Sequence, residues 1–251
     1  MAWLLDLDGV VWLAHQPIAG VAEGIARLRG AGERVLFVTN ASMSPVGMLE
    51  AALAAIGIPA DGDVVTSAMA AANLLAPGAR AIVCGGPGVV AALTARGVEV
   101  VESGPVDAVV VGLTQDLTYD LLLRASTAVR DGARFIATNT DPTYPTPAGL
   151  TPGGGSIVAA VATAAGVEPE VAGKPHPPMA ALVRSVVGDG PHVMVGDQAA
   201  TDLAFGRVLG ARTALVLSGI TTEADLPLDP PPDVVAADVG ALVDLALGPR
   251  T

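Results

Sequence analysis

The sequence predicts an α/β protein: a core built on a doubly wound parallel sheet, with a second, smaller α/β domain inserted into it. Three observations carry this. Short apolar runs alternate with helix-like segments along nearly the whole chain, and such alternation builds parallel sheets covered by helices. The residues best suited to chemistry stand at the carboxyl ends of those apolar runs, where open parallel sheets bind ligands. The stretch from 79 to 169 carries strands and helices of its own, and a loop of that length inside a compact domain is implausible.

The strands are expected at Trp3–Leu7, Arg34–Val38, Ala81–Cys84, Ala108–Val111, Arg134–Ala137, His192–Val195 and Thr213–Leu217. Each is short, apolar and bounded by turn residues. Helices are expected at Gly20–Gly30, Ser44–Ile56, Pro87–Arg96, Thr118–Arg130, Gly155–Ala165, Pro178–Val187 and Thr201–Leu209,. The proline-rich stretch 227–232 reads as a surface loop before a short final strand and helix,. The domains are then 1–78 with 170–251 for the core, and 79–169 for the insert.

Composition narrows the function. The 251 residues are 51% apolar, enough for a sizeable core,. A net charge of −12, with no basic stripe, argues against a nucleic-acid partner,. An anionic substrate then needs local compensation from a metal ion, a lysine and backbone N–H groups. No apolar run is long enough to span a bilayer,. Asp6 and Asp8 break the apolar N-terminus, which argues against a signal peptide,. Cys84 is the only cysteine, which suits the cytoplasm,.

Four short motifs could carry chemistry. In Asp6-Leu7-Asp8-Gly9, strand alternation would set both carboxylates on one side, with Gly9 allowing a sharp exit,. Two acids so close need a cation or a proton; the bland alternative is an exposed turn. Val38-Thr39-Asn40-Ala41-Ser42 offers a phosphate cradle, or a plain helix start capped by Ser42 or Ser44,. Gly173-Lys174-Pro175 offers a cation to neutralise an anion, or a surface lysine,. Gly196-Asp197-Gln198-Ala199-Ala200-Thr201-Asp202 places two acids across a strand-to-helix turn, where Asp202 could merely complement a helix dipole,. Other features carry less. Cys84-Gly85-Gly86-Pro87-Gly88 lacks the spacing and lysine of a phosphate loop and reads as a turn,. Gly153-Gly154-Gly155-Ser156 reads as a flexible start to a helix. His15, His176 and His192 lack metal-ligand spacing, and no G-x-S-x-G elbow supports a serine hydrolase,.

In this order, D-L-D-G-V, V-T-N-A-S, G-K-P-H-P and G-D-Q-A-A-T-D resemble the four motifs of the haloacid dehalogenase superfamily. The long insert between the second and third motifs is similar to the C2-type cap of subclass IIA, the NagD and p-nitrophenylphosphatase-like branch. Thr66-Ser67-Ala68 and the run from Thr138–Asp141 to Pro152–Ser156 extend the likeness, which covers essentially the whole chain.

The resemblance implies a Rossmann-like core and a Mg²⁺-dependent phosphatase. Asp6 would be the nucleophile and Asp8 the general acid and base. Asp6, the Asp8 carbonyl and Asp197 would hold the metal. Thr39 and the Asn40 backbone would bind phosphoryl oxygens, Lys174 would neutralise charge, and Asp202 would support Lys174 or a metal-bound water. Gln198 and Ala200 stand where the family often has Arg or Asn and an acid. The loop Asn139–Tyr144 would reach over the site from a closing cap, with Asn139, Asp141 and Tyr144 meeting the substrate.

The substrate expected is a small phosphomonoester resembling glycerol 3-phosphate or phosphoglycolate. Pyridoxal phosphate and nucleotides stay open as alternatives. A phosphomutase would share the core residues but need a bisphosphate activator, and Asp8 disfavours a dehalogenase. A catalytically silent binding module would be expected to lose Asp6, Asp8 or Lys174. A homodimer is compatible with the resemblance and not required by it.

Overall fold

The computed structural model describes residues 1–13, 16–146 and 149–249; His15 lies outside the described residues. The chain divides into two compact units. One comprises Met1–Thr39, Leu49–Val65 and Val183–Thr251, the other Asn40–Met48 and Thr66–Leu182.

The first unit is organised by a six-stranded sheet. Its order is Val234–Ala236, Arg212–Val216, His192–Gly196, Ala2–Leu5, Arg34–Thr39 and Val64–Thr66. Ala2–Leu5 pairs in parallel with His192–Val195 on one side and with Arg34–Phe37 on the other. The central strands are apolar on both faces and buried throughout, which is why they read as continuous apolar runs,. Helix Val21–Gly30 buries Val21, Gly24, Ile25 and Leu28, the one-face spacing of an amphipathic helix. Asp238 caps the last helix, Val239–Leu247, by accepting the Ala241 N–H at 2.8 Å.

The second unit has a five-stranded parallel sheet in the order Glu170–Val171, Arg134–Ala137, Ala108–Val111, Arg80–Cys84 and Glu99–Val100. Helices Tyr119–Arg130 and Gly154–Ala165 bury Ala125, Val129, Ile157, Val158 and Val161 with Val109, Val111 and Phe135 of the sheet. Thr118 caps the first of these helices by accepting the Leu121 N–H at 3.2 Å.

Ala108–Val111 and Arg134–Ala137 match their expected ranges, and the proline-rich stretch does precede a short strand and a helix. The first strand, however, ends at Leu5 rather than Leu7, because sheet pairing lapses after Asp6 and the chain turns about the Leu7 carbonyl. Strand Val64–Thr66 and helix Ser67–Asn73 were not anticipated. A three-residue strand is too short to show a period. Ser42 caps no helix; its buried hydroxyl accepts a bond from Thr138 Oγ1 at 3.0 Å.

Phe37 lies fully buried in Arg34–Thr39, beside Leu5. Phe37→Ala should therefore cost about 3–5 kcal/mol. Urea unfolding followed by circular dichroism would measure it, and a loss under about 1 kcal/mol would contradict the core assignment.

Candidate active site

In the first unit, acids stand just past two neighbouring strands. The Asp6 N–H donates to the Val195 carbonyl at 3.0 Å, so sheet pairing continues one residue beyond Leu5. Asp8 is not placed by strand alternation. It sits in a turn where the Leu7 carbonyl accepts the N–H groups of Val10, Val11 and Trp12, and Gly9 takes φ 81°. Trp12 Nε1 donates to Asp8 Oδ1 at 3.1 Å. Trp12 is fully buried, so this donor is rigidly held and aims the carboxylate,.

Asp197 follows the buried strand His192–Gly196. The chain then makes a wide π-helical turn, Ala199–Leu203, in which the Leu203 N–H reaches back to the Gln198 carbonyl,. That turn brings the Asp202 carboxylate back to accept the N–H groups of Asp197 and Gln198, both at 3.2 Å. A Cβ on Gly196 would lie 2.0 Å from the Asp202 Cβ, so only glycine fits there.

Asp197 is held as tightly. Its Oδ2 accepts the Ile220 N–H at 2.7 Å. Cβ atoms on Gly9 and Gly219 would stand 2.3 and 2.1 Å from the same oxygen. Ser218 Oγ, donating to the Gly9 carbonyl at 2.7 Å, ties the two glycine turns together.

The result is a trio of buried carboxylates. Asp6, Asp197 and Asp202 each offer an oxygen within 4.8 Å of the others. Three like charges so close, out of water, are unfavourable without a cation among them. The donors are all carboxylate oxygens, with no imidazole or thiolate, and that set suits a hard ion such as Mg²⁺ better than zinc. Thr39, also buried, ends the strand beside Ala2–Leu5.

In the second unit, the other expected residues gather around Asn40. Its Oδ1 accepts the Lys174 N–H at 2.8 Å, and its Nδ2 donates to the Lys174 carbonyl and to Asp141 Oδ2, each at 3.1 Å. The Asn40 carbonyl accepts from Ser67 Oγ at 2.7 Å and Asn139 Nδ2 at 2.8 Å. Asn139 Oδ1 in turn accepts the Asp141 N–H, so the Asn139 amide braces this loop from inside. Tyr144 is half-buried in a hairpin, Thr143–Thr146 with Gly149–Pro152. Lys174 is buried, and it is the only lysine in the sequence.

The glycine run at 153–155 is a shelf for that loop, not a flexible segment. The Gly153 and Gly155 N–H groups donate to the Pro142 and Asp141 carbonyls. Cβ atoms on either glycine would come within 2.3 Å of loop carbonyls. Gly88 acts similarly, its N–H donating to the Met43 carbonyl, so the turn expected at 84–88 has a fixed partner.

Comparison with known proteins shows the family. A haloacid dehalogenase-like hydrolase family profile matches residues 3–99, and a HAD-hydrolase-like profile matches 171–242. The chain is 38% identical over 236 residues to the acid sugar phosphatase of Staphylococcus saprophyticus, covering 90% of this chain and 89% of that one. It is 41% identical over 233 residues to the D-glycerol 3-phosphate phosphatase of Mycobacterium tuberculosis, covering 88% of this chain but 64% of that relative's length. The structure of a glycerol phosphate phosphatase from M. tuberculosis in complex with magnesium superposes with a TM-score of 0.89 at 36% identity, covering 96% of this chain and 75% of that one. The chain belongs to the haloacid dehalogenase-like hydrolase family. It is an enzyme of the phosphatase class within that family.

Gly219 was not singled out in the sequence, and it provides a direct test of the trio. Gly219→Ala places a methyl against the Asp197 carboxylate and should weaken Mg²⁺ binding by about 10–100-fold with the fold intact,. Isothermal titration calorimetry would measure this. An affinity within about twofold of wild type would show that Asp197 needs no such cradle.

Proposed function

We propose that this protein is a Mg²⁺-dependent phosphomonoesterase that works through a phosphorylated Asp6. The observation that carries the proposal is the buried trio of Asp6, Asp197 and Asp202. Residues 1–78 with 170–251 are assigned to the catalytic core and 79–169 to a C2-type cap.

The chemistry runs in two displacements. An Asp6 oxygen attacks phosphorus while the bond to the leaving oxygen breaks, and Asp8 gives that oxygen its proton. Asp8 then takes a proton from the water that attacks the aspartyl-phosphate, releasing inorganic phosphate and restoring Asp6. Trp12, by holding one Asp8 oxygen, keeps the acid in a single orientation. Thr39 and the Asn40 backbone bind phosphoryl oxygens, and Lys174 balances their charge. Asp6, the Asp8 carbonyl and Asp197 would hold Mg²⁺, which would supply further charge neutralisation, and Asp202 would order its surroundings.

The substrate proposed is a small phosphorylated metabolite resembling glycerol 3-phosphate or phosphoglycolate. The short polar loop Asn139–Tyr144 supports this, as does the activity named for the mycobacterial relative. Among the described residues no helix is long and apolar enough to cross a membrane. We place the protein in the cytoplasm, since its single cysteine, Cys84, leaves no internal disulfide,.

Asp6→Asn should lower turnover by at least about a thousandfold while leaving the circular dichroism spectrum unchanged. A chelator should abolish wild-type activity and Mg²⁺ restore it. Phosphate release from a panel of glycerol 3-phosphate, phosphoglycolate, pyridoxal phosphate and nucleoside monophosphates would check both points and rank the substrates. Activity of Asp6→Asn within tenfold of wild type, or full activity in excess chelator, would sink the proposal.

A further inference from the structure

Asn40 follows the last residue of strand Arg34–Thr39, and its carboxamide holds both polar main-chain groups of Lys174. An amide that accepts a residue's N–H and donates to its C=O fixes the two peptide planes beside that residue. It thereby fixes the direction in which the side chain leaves the backbone. This matters for lysine more than for most residues, because its ammonium rides on a flexible four-carbon stem. The twelve other basic residues among the thirteen in the sequence are arginines, so the chain uses lysine only where this clamp is built.

Two further contacts give the clamp its direction. Asp141 presents a carboxylate, which as an anion can only accept, so it selects Nδ2 as the amide end that faces it at 3.1 Å,. Gly173 makes room, since a Cβ there would lie 2.5 Å from Asn40 Oδ1 and 2.4 Å from the Thr138 carbonyl. Ser67 and Asn139 then fasten the Asn40 backbone.

We infer that Asn40 is a positioning residue: its side chain orients Lys174, and Asp141 sets the orientation of that amide. The inference rests on Lys174 acting as the charge-balancing cation proposed above. Asp141 is thus a carboxylate through which the Asn139–Tyr144 loop is linked to the lysine.

The test combines a double-mutant cycle with a resonance. Asn40→Ala, Lys174→Met and the double variant are compared with wild type for p-nitrophenyl phosphate hydrolysis in Mg²⁺. Because the sequence has one lysine, protein grown with [¹³Cε]-lysine gives a single side-chain signal from Lys174. Asn40→Ala should lower kcat at least about tenfold with KM within about threefold, and should shift that signal. In the Lys174→Met background it should cost less than about twofold, since the residue it positions is gone. Losses that multiply independently, or an unmoved lysine signal, would overturn the inference. If Asn40→Ala does not fold, Asn40→Asp replaces it with the same expectations, because it keeps the acceptor and loses the donor. If Lys174→Met has no measurable turnover, the cycle is closed on inorganic phosphate affinity by calorimetry. An inactive wild type would sink the phosphatase reading, while the lysine signal still decides whether Asn40 sets the Lys174 side chain.

Discussion

Asp6, Asp197 and Asp202 bring three carboxylates within 4.8 Å of one another in a region shielded from water. Much of the local architecture in the first unit serves that constraint. Two neighbouring parallel strands end together, so that Asp6 and Asp197 emerge side by side. The π-helical turn folds Asp202 back onto the N–H groups of Asp197 and Gln198. Three glycines, Gly9, Gly196 and Gly219, stand where any side chain would strike a carboxylate. Backbone N–H donors offset part of the charge, and a hard divalent cation bound there would offset more,.

The second unit solves a different problem by similar means. It holds the chain's single lysine in a protein that carries a net charge of −12. Here the backbone around Lys174 is fastened, through the Asn40 amide, rather than the ammonium alone. The loop carrying Asn139 and Asp141 is fastened to the same amide and rests on the glycines of helix Gly154–Ala165. Parts fastened this way by their own hydrogen bonds are held in place by the fold itself, and phosphoryl transfer asks mainly for positioning,.

The sheets were legible in the sequence because their strands are apolar on both faces, as with Ala108–Val111 and His192–Val195,. The acids were legible because they terminate those runs. What escaped reading was whatever depends on contacts distant in sequence. Gly219 looks like an ordinary loop glycine until Asp197 is seen against it, twenty-two residues earlier. Trp12 lies in the core, and its indole N–H also aims Asp8. The run Gly153–Gly155 suggested flexibility from composition, although close approach of the Asp141 loop is the reason for it. Asn40 was legible as a polar residue at a strand end with a role for its backbone, but the bonds of its side chain to Lys174 and Asp141 were not.

The central claim is that the carboxylate trio is built to hold a divalent cation. Thermal unfolding of wild type and Asp197→Asn, each with and without Mg²⁺, tests this most directly. The Asn Oδ1 can still accept the Ile220 N–H, so the variant removes mainly charge. The account predicts that Mg²⁺ raises the wild-type midpoint, while without Mg²⁺ the variant is more stable than wild type and barely responds to the ion. A variant that is less stable in the absence of Mg²⁺, yet keeps the full Mg²⁺ shift, would contradict it.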